Sequence, residues 1–182
     1  DVIHMDIQWF VSNCSEVNRV ITFITKSVLD ELQEIYPCLA QQPVATLPDA
    51  LSRIKDKTGQ KFVIIIDEWD VLIRDESANK KVQADYINFL RGMFKGTEPT
   101  KYIQLAYLTG ILPIRKEKTQ SALNNFDEIT MLQAGRLAPY IGFTEEEVKQ
   151  LCENYHQDYK KVKKWYDGYL LENYQVYNPR AV

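Results

Sequence analysis

The chain has 182 residues, 45% of them apolar and 26% charged, a balance typical of a globular domain rather than a disordered or fibrous protein. Its net charge of −3 gives no general attraction to nucleic acid, and no apolar run approaches the roughly 18 residues of a membrane span. Three cysteines without ligand-type spacing and two distant histidines argue against a disulfide framework or a zinc site, so we expect a cytoplasmic protein.

The first sixty residues predict a strand followed by amphipathic helices. Residues 2–7 alternate as a strand does, and apolar residues then recur at helical spacing over 16–35, with Ser15 as the expected N-cap. A shorter helix is expected to begin near Leu47 and to end at Gly59.

A continuous apolar run, Phe62–Ile66, leads directly into two carboxylates, Asp67 and Glu68. So short and β-rich a run predicts a strand buried on both faces of a parallel sheet. Open α/β folds bind ligands at the carboxyl edge of such a sheet, where the charge of the two acids can be offset. In phosphate-handling ATPases the first acid holds Mg²⁺, and the second positions and deprotonates the attacking water.

The pattern is therefore a Walker B candidate. The alternative is a core strand followed by a helix whose first turn carries acids, which the helix dipole favours.

Downstream of these acids the sequence predicts another helix, a break at 96–99 and a second strand over 102–108 that ends at Thr109. The order of strand, helices, strand, helix, strand predicts a parallel sheet with right-handed crossovers. If the two strands pair, the Thr109 hydroxyl lies near Glu68 and can bond the attacking water or the γ-phosphate. The alternative is a strand-end threonine that caps a turn.

The last third of the chain differs in character. We expect a polar helix over 115–125 and a short strand over 128–132. Thr144 and Glu147 predict a capping box at the start of a helix, with Val148, Leu151 and Tyr155 facing inward.

A second helix is expected to end at 165–168, followed by a hairpin over 169–177 that turns at 172–173. We divide the chain into an α/β core, 1–135, and a small helical unit with the hairpin, 136–182.

Six motifs occur in a fixed order and together are specific. They are IIIDEWD, LTGILPI, the run from Lys116 through KTQSALNNFDEITML, YIGFTEEEVKQLC, KKWYDGY and VYNP. This set resembles the bacterial AAA-ATPase-like family that often precedes a PD-(D/E)XK nuclease-type domain, and the similarity covers essentially all 182 residues. The opening VIHMDI resembles the family's strand just after its first helix.

The resemblance implies a P-loop ATPase core of the additional-strand type followed by a lid, with ATP and Mg²⁺ as cofactors. It assigns Asp67 to magnesium and to nucleotide binding, Glu68 to catalysis, and Thr109 to the sensor position, in contact with the nucleotide. Lys116, with Arg115 beside it, would supply a cation that stabilises transition-state charge; the alternative is an exposed helix lysine. Asp70 is expected to order the loop after Glu68 rather than to bind metal.

One departure from the family pattern limits this reading. No G-x-x-x-x-G-K-[ST] occurs in the sequence, which opens without Met inside a strand-like segment, and in the family the phosphate loop lies upstream. We therefore expect a piece of a longer protein that lacks the first strand and the P-loop, and that alone binds nucleotide weakly and hydrolyses it negligibly.

The partners follow from the same resemblance. We expect ATP, a nuclease-type domain further along the same polypeptide, and a homo-oligomer because unpaired strand edges invite pairing. Neither a membrane nor direct nucleic-acid binding by these residues is expected.

Three other functions compete with ATP hydrolysis. A catalytically silent regulatory or scaffolding module would keep the same fold. A helicase could use DEWD as its D-E-x-D box, yet no Ser-Ala-Thr motif follows and 182 residues leave no room for a second RecA-like domain. A metal nuclease needs (D/E)-x-K on a strand, whereas the matches at 147–149 and 158–160 lie in predicted helices.

Overall fold

Three strands form a parallel sheet in the order β1-β2-β3: Val2–Asp6, Phe62–Asp67 and Ile103–Leu108. The computed structural model describes residues 1–41, 43–75, 78–113, 123, 125–166 and 168–180. They fall into two compact units, 1–126 and 127–182. The boundary between the two units lies at 126/127, earlier than the sequence-based division at 135/136. The roles of the two units as ATPase core and lid stay predictions.

The central strand β2 buries Phe62, Ile64 and Ile66 against the helices. Val63 and Ile65, on the opposite face, are only half-buried. The expectation of a strand buried on both faces is therefore wrong for one face of the sheet.

The described residues of the first unit form six α-helices. They are α1 (Ile7–Asn13), α2 (Val20–Ile35), α3 (Leu47–Thr58), α4 (Val71–Arg74), α5 (Lys80–Phe94) and α6 (Pro99–Tyr102). The apolar periodicity of α2 is confirmed, since Val20, Ile24 and Val28 are buried. Gly59 ends α3 in the left-handed region at φ 76°, as predicted.

Two features of the N-terminal region differ from the prediction. Helix α1 was not predicted, because Asp6 both ends β1 and caps the helix by accepting a 2.9 Å bond from the Trp9 N–H. Ser15 is not a helix cap: α2 begins at Val20 after a 3₁₀ turn, Val17–Arg19, and no side chain caps either element.

In the second unit the described residues form a small antiparallel sheet and two α-helices. Its strands lie in the order β4-β6-β5: Phe143–Thr144, Tyr174–Tyr177 and Tyr169–Leu171. Its helices are α7 (Glu145–Asn154) and α8 (Tyr159–Tyr166). The predicted hairpin is confirmed, with Glu172 in the left-handed region at the turn.

The capping box at the start of α7 is confirmed in both directions between Thr144 and Glu147. Tyr155, expected to face inward, is 71% exposed because α7 ends at Asn154 and the chain leaves the helical path. Residues 128–132 form no strand; Thr130 and Gln133 make an isolated bridge around a turn. Most of the predicted helix over 115–125 lies outside the described residues.

Across the part of the chain that the structure describes, no helix combines the length and apolar character that a membrane crossing requires.

Candidate functional site

Strands β2 and β3 end side by side at the carboxyl edge of the sheet. Their parallel register pairs Ile66 with Leu108, so Asp67 and Thr109 leave the sheet together. The Thr109 N–H donates to the Ile66 carbonyl at 2.9 Å, and the Trp69 N–H donates to the Thr109 carbonyl at 2.9 Å. These backbone bonds fix the two strand ends against each other beyond the last residue of the sheet.

The Thr109 hydroxyl joins the two predicted functional acids. It donates a short hydrogen bond to Asp67 Oδ1, and its oxygen accepts the Glu68 N–H at 3.4 Å. The Glu68 N–H also bonds Asp67 Oδ1 at 3.0 Å. The structure thus brings three of the four sequence-predicted site residues together, and Asp67, Glu68 and Thr109 are each only half-buried.

Glu68 has an unusual backbone. Its φ of 51° lies in the left-handed region, which a non-glycine residue enters at an energetic cost and which often marks functional sites. Its side chain is 42% exposed and pairs with Arg74, whose Nη2 lies 2.6 Å from Glu68 Oε2.

Asp70 is the buried charge of this edge. Its side chain is fully buried and accepts Arg74 Nε at 2.8 Å and the backbone N–H groups of Ile111 at 3.1 Å and Leu112 at 2.7 Å. A buried carboxylate needs such compensation. Asp70 therefore holds the segment after β3, in agreement with an ordering role, although that segment is not the loop directly after Glu68.

Tight packing surrounds this carboxylate. The Tyr86 hydroxyl donates to the Trp69 carbonyl at 2.8 Å. Burial, with the nearby charge of Asp70, raises the pKa of Tyr86, so that the hydroxyl keeps the proton it donates. A methyl group at Gly110 would lie 2.6 Å from Asp70 Oδ1 and from Trp69 Cδ1, so only glycine fits after Thr109.

Lys116 and Arg115, the predicted cations, lie outside the described residues. The arginine that contacts Glu68 is Arg74, which sequence reasoning missed. Its signal was the spacing of Asp70 and Arg74, four residues apart and thus neighbours on one helical face.

Asp67 fits a magnesium site of the open kind. Among the described residues its hydrogen bonds come from Thr109 and Glu68 and both fall on Oδ1, so Oδ2 is the oxygen that could bind a hard cation or a water bound to one. Asp6 lies beside Asp67 in register, but its carboxylate caps α1. The described side chains contain no cluster of three or more metal-binding groups. Mg²⁺ is commonly held by one or two carboxylates plus substrate phosphates, so such a cluster is not required.

Comparison with known proteins agrees with the family resemblance of the sequence motifs. The family model described as a predicted AAA-ATPase matches residues 1–119. An uncharacterized protein in the vnfD 5' region of Azotobacter chroococcum mcd 1 is 25% identical over 145 residues, which are 78% of this chain and 28% of that protein. The chain therefore spans less than a third of this relative's length, and no solved structure matches. Since the family model covers well over half of the sequence, the chain belongs to the predicted AAA-ATPase family.

Proposed function

We propose that the edge formed by β2 and β3 is the metal-binding and water-activating half of an ATP hydrolysis site. Membership of the family implies ATP and Mg²⁺ in general terms. In this proposal Asp67 binds magnesium, Glu68 orients and deprotonates the attacking water, and Thr109 bonds that water or the γ-phosphate.

The observation that carries the proposal is the contact of Thr109 with both acids. Two carboxylates at the end of one strand are a common pattern. Here the Thr109 hydroxyl, at the end of the neighbouring strand, donates to Asp67 Oδ1 and accepts the Glu68 N–H. A hydrolytic site needs a metal ligand, a base and a group that senses phosphate within a few ångströms. These three residue types meet where parallel α/β sheets bind ligands.

The cradle for the β- and γ-phosphates would come from outside these residues, because the sequence contains no G-x-x-x-x-G-K-[ST]. The additional-strand subtype agrees with three strands in the contiguous order β1-β2-β3. Lys116 as a transition-state cation, a lid formed by 136–182, a nuclease-type domain in the same polypeptide and a cytoplasmic location belong to the same proposal.

We also propose that the chain forms a homo-oligomer. In the described chain β3 pairs only with β2, and the sheet face that carries Leu105 and Tyr107 leaves these side chains 57% and 50% exposed. A second copy of the chain is the occupant that we propose for this face, because an unpaired edge beside an apolar face favours association.

The decisive variant is Glu68→Gln in the complete polypeptide that carries these residues. Loss of the base is expected to lower kcat for ATP about 100-fold or more, the lower range of general acid–base effects. ATP affinity should stay within about threefold, because the amide keeps the shape of the side chain and metal binding rests on Asp67. Glu98→Gln, at an exposed glutamate paired with Lys101, is the matched control. Unchanged turnover in the Glu68 variant would contradict the proposal.

The second candidate is a silent regulatory or scaffolding module of the same fold. The observation that favours it is the pairing of Glu68 with Arg74, which occupies one oxygen of the proposed base. This alternative predicts that neither wild type nor Glu68→Gln hydrolyses ATP, although both retain the partner-binding role.

A further inference from the structure

We infer that Arg74 is a positioning residue, which sets the orientation of the Glu68 carboxylate and links it to the segment after β3. This inference rests on the proposed function of Glu68. Beyond that function, Arg74 would control the position of the Glu68 side chain, and the segment after β3 would transmit movement to Glu68 through Arg74.

Asp70 holds the Arg74 guanidinium through two contacts. Its Nε lies 2.8 Å and its Nη2 3.3 Å from the two oxygens of Asp70, a two-pronged contact in which both prongs are charge-assisted. Asp70 is fully buried, so loss of the guanidinium would leave a charge only partly compensated. Arg74 is an exposed residue whose guanidinium is tied to a buried carboxylate through two contacts.

Arg74 also bonds Glu68, the proposed base. The same Nη2 that contacts Asp70 donates to Glu68 Oε2 at 2.6 Å. Glu68 is the most exposed of the three side chains, at 42% against 31% for Arg74 and 0% for Asp70. The partly exposed Glu68 carboxylate is thus bonded to an arginine that also bonds a buried carboxylate. Among the described residues the bond to Glu68 falls on Oε2, so Oε1 is the oxygen that we expect to face the water molecule.

Asp70 also connects Arg74 to the segment after β3. Asp70 Oδ2 accepts the N–H groups of Ile111 and Leu112, directly after Thr109 and Gly110. Any displacement of this segment moves the acceptor that holds Arg74, and Arg74 in turn holds Glu68. The end of β3 is therefore connected to Glu68 in two ways: through the Thr109 hydroxyl to the backbone, and through Asp70 and Arg74 to the side chain.

Positioning is the role that this arrangement supports. An error of about 1 Å in the placement of a catalytic group can cost about 100-fold in rate. The left-handed backbone of Glu68 starts the side chain in an uncommon direction, so a second contact is needed to define where the carboxylate lies.

The test compares Arg74→Ala, Arg74→Lys and Glu68→Gln in the complete polypeptide. Arg74→Ala should lower kcat about 10- to 100-fold with KM for ATP changed less than about threefold, and Arg74→Lys should recover part of the loss. On the Glu68→Gln background, Arg74→Ala should have no further effect, because the two residues act as one unit. Arg53→Ala is the matched control: Arg53 makes a comparable contact with Asp49 four residues away and is 33% exposed.

A second readout needs no turnover. In the 182-residue chain labelled with ¹³C at the glutamate carboxyl carbon, Arg74→Ala and Arg74→Lys should shift the Glu68 resonance, whereas Arg53→Ala should leave it unchanged. Arg74→Lys keeps the charge beside Asp70 and carries both readouts if the alanine variant fails to fold.

Equal kcat values for the Arg74 and Arg53 variants, with Glu68→Gln inactive, would overturn the inference and leave the proposed function standing. Full turnover by Glu68→Gln would overturn both. A fall in kcat that adds independently to that of Glu68→Gln would show a structural role and overturn the inference as well.

Discussion

One threonine hydroxyl connects the groups on which the proposed site depends. Thr109 contributes its hydrogen to Asp67 and its oxygen to the Glu68 amide, so it fixes the rotamer of the proposed metal ligand and the backbone of the proposed base. The sequence predicted that Thr109 lies near Glu68 and bonds the attacking water or the γ-phosphate, and the family resemblance assigned it to the sensor position. The bond to Asp67 could not be predicted from the sequence, because it depends on the register between two strands and joins residues 42 positions apart in the chain.

Thr109→Val tests this connection. Valine keeps the shape and removes the hydroxyl, so two hydrogen bonds are lost, and we expect unfolding free energy to fall by about 1–3 kcal/mol. ATP turnover of the complete polypeptide should fall as well, and Thr109→Ser should retain most of both properties. Thr100→Val, which removes a hydroxyl bonded to the Thr97 carbonyl, is the control. Denaturant unfolding and steady-state kinetics measure the two effects; a valine variant as stable and active as the control would contradict the assigned role.

At the scale of elements, apolar periodicity predicted most of the helices and the central strand. It failed where a single residue serves two elements, as Asp6 does between β1 and α1. It also failed at Ser15, because the chain makes a 3₁₀ turn before α2 and the first helical residue lies five positions downstream. Periodicity carries no information on such changes of path, which depend on how the connecting residues pack.

The same distinction applies to the candidate site. The acids at the end of β2 could be predicted, because a continuous apolar run that meets two carboxylates is a local pattern. The charged cluster of Asp70 and Arg74 could be anticipated only as a helical pair. Its contacts with Ile111 and Leu112 require the neighbouring strand and were therefore out of reach.

Helices α7 and α8 are linked by a charged cluster with a predictable pH dependence. The pKa of Glu145 is lowered, first by the hydrogen bond from Lys149 at 2.9 Å and then by the bond from the Tyr159 hydroxyl at 2.8 Å. A carboxyl whose folded-state pKa is depressed stabilises the fold above its unfolded pKa, and this contribution disappears as pH falls through the folded value.

We therefore expect amide hydrogen exchange in α7, corrected for its intrinsic pH dependence, to show less protection as pH falls below the ordinary glutamate range. Glu145→Gln should remove that part of the pH dependence, because the amide does not titrate. Glu146→Gln, which also removes one negative charge from the first turn of α7, controls for net charge. A glutamine variant at position 145 with the same acid profile as wild type would contradict the prediction.

At the scale of the whole molecule, one face of the sheet in the first unit carries exposed apolar side chains among the described residues. Leu105, Tyr107 and Val2 lie on this face with half or more of their surface exposed, whereas Ile64 and Ile66 on the opposite face are fully buried. Exposed apolar surface beside an unpaired strand edge is the physical basis for association.

We predict that the 182-residue chain self-associates through this face. Leu105→Lys should shift the chain toward monomer in light scattering, because it places a charge in the centre of the apolar surface. Leu170→Lys, at an exposed leucine of the second unit, is the control. A monodisperse wild-type monomer across the concentrations tested would rule out the predicted association.

The metal–nucleotide complex is expected to bind at the edge formed by β2 and β3. Crystals of the complete polypeptide with Mn²⁺ and a non-hydrolysable ATP analogue would locate the metal by its anomalous scattering. We predict a Mn²⁺ peak bound to the Asp67 carboxylate directly or through one water, with the γ-phosphate facing Glu68 and Thr109. A bound nucleotide whose metal lies away from Asp67 and Thr109 would contradict the account.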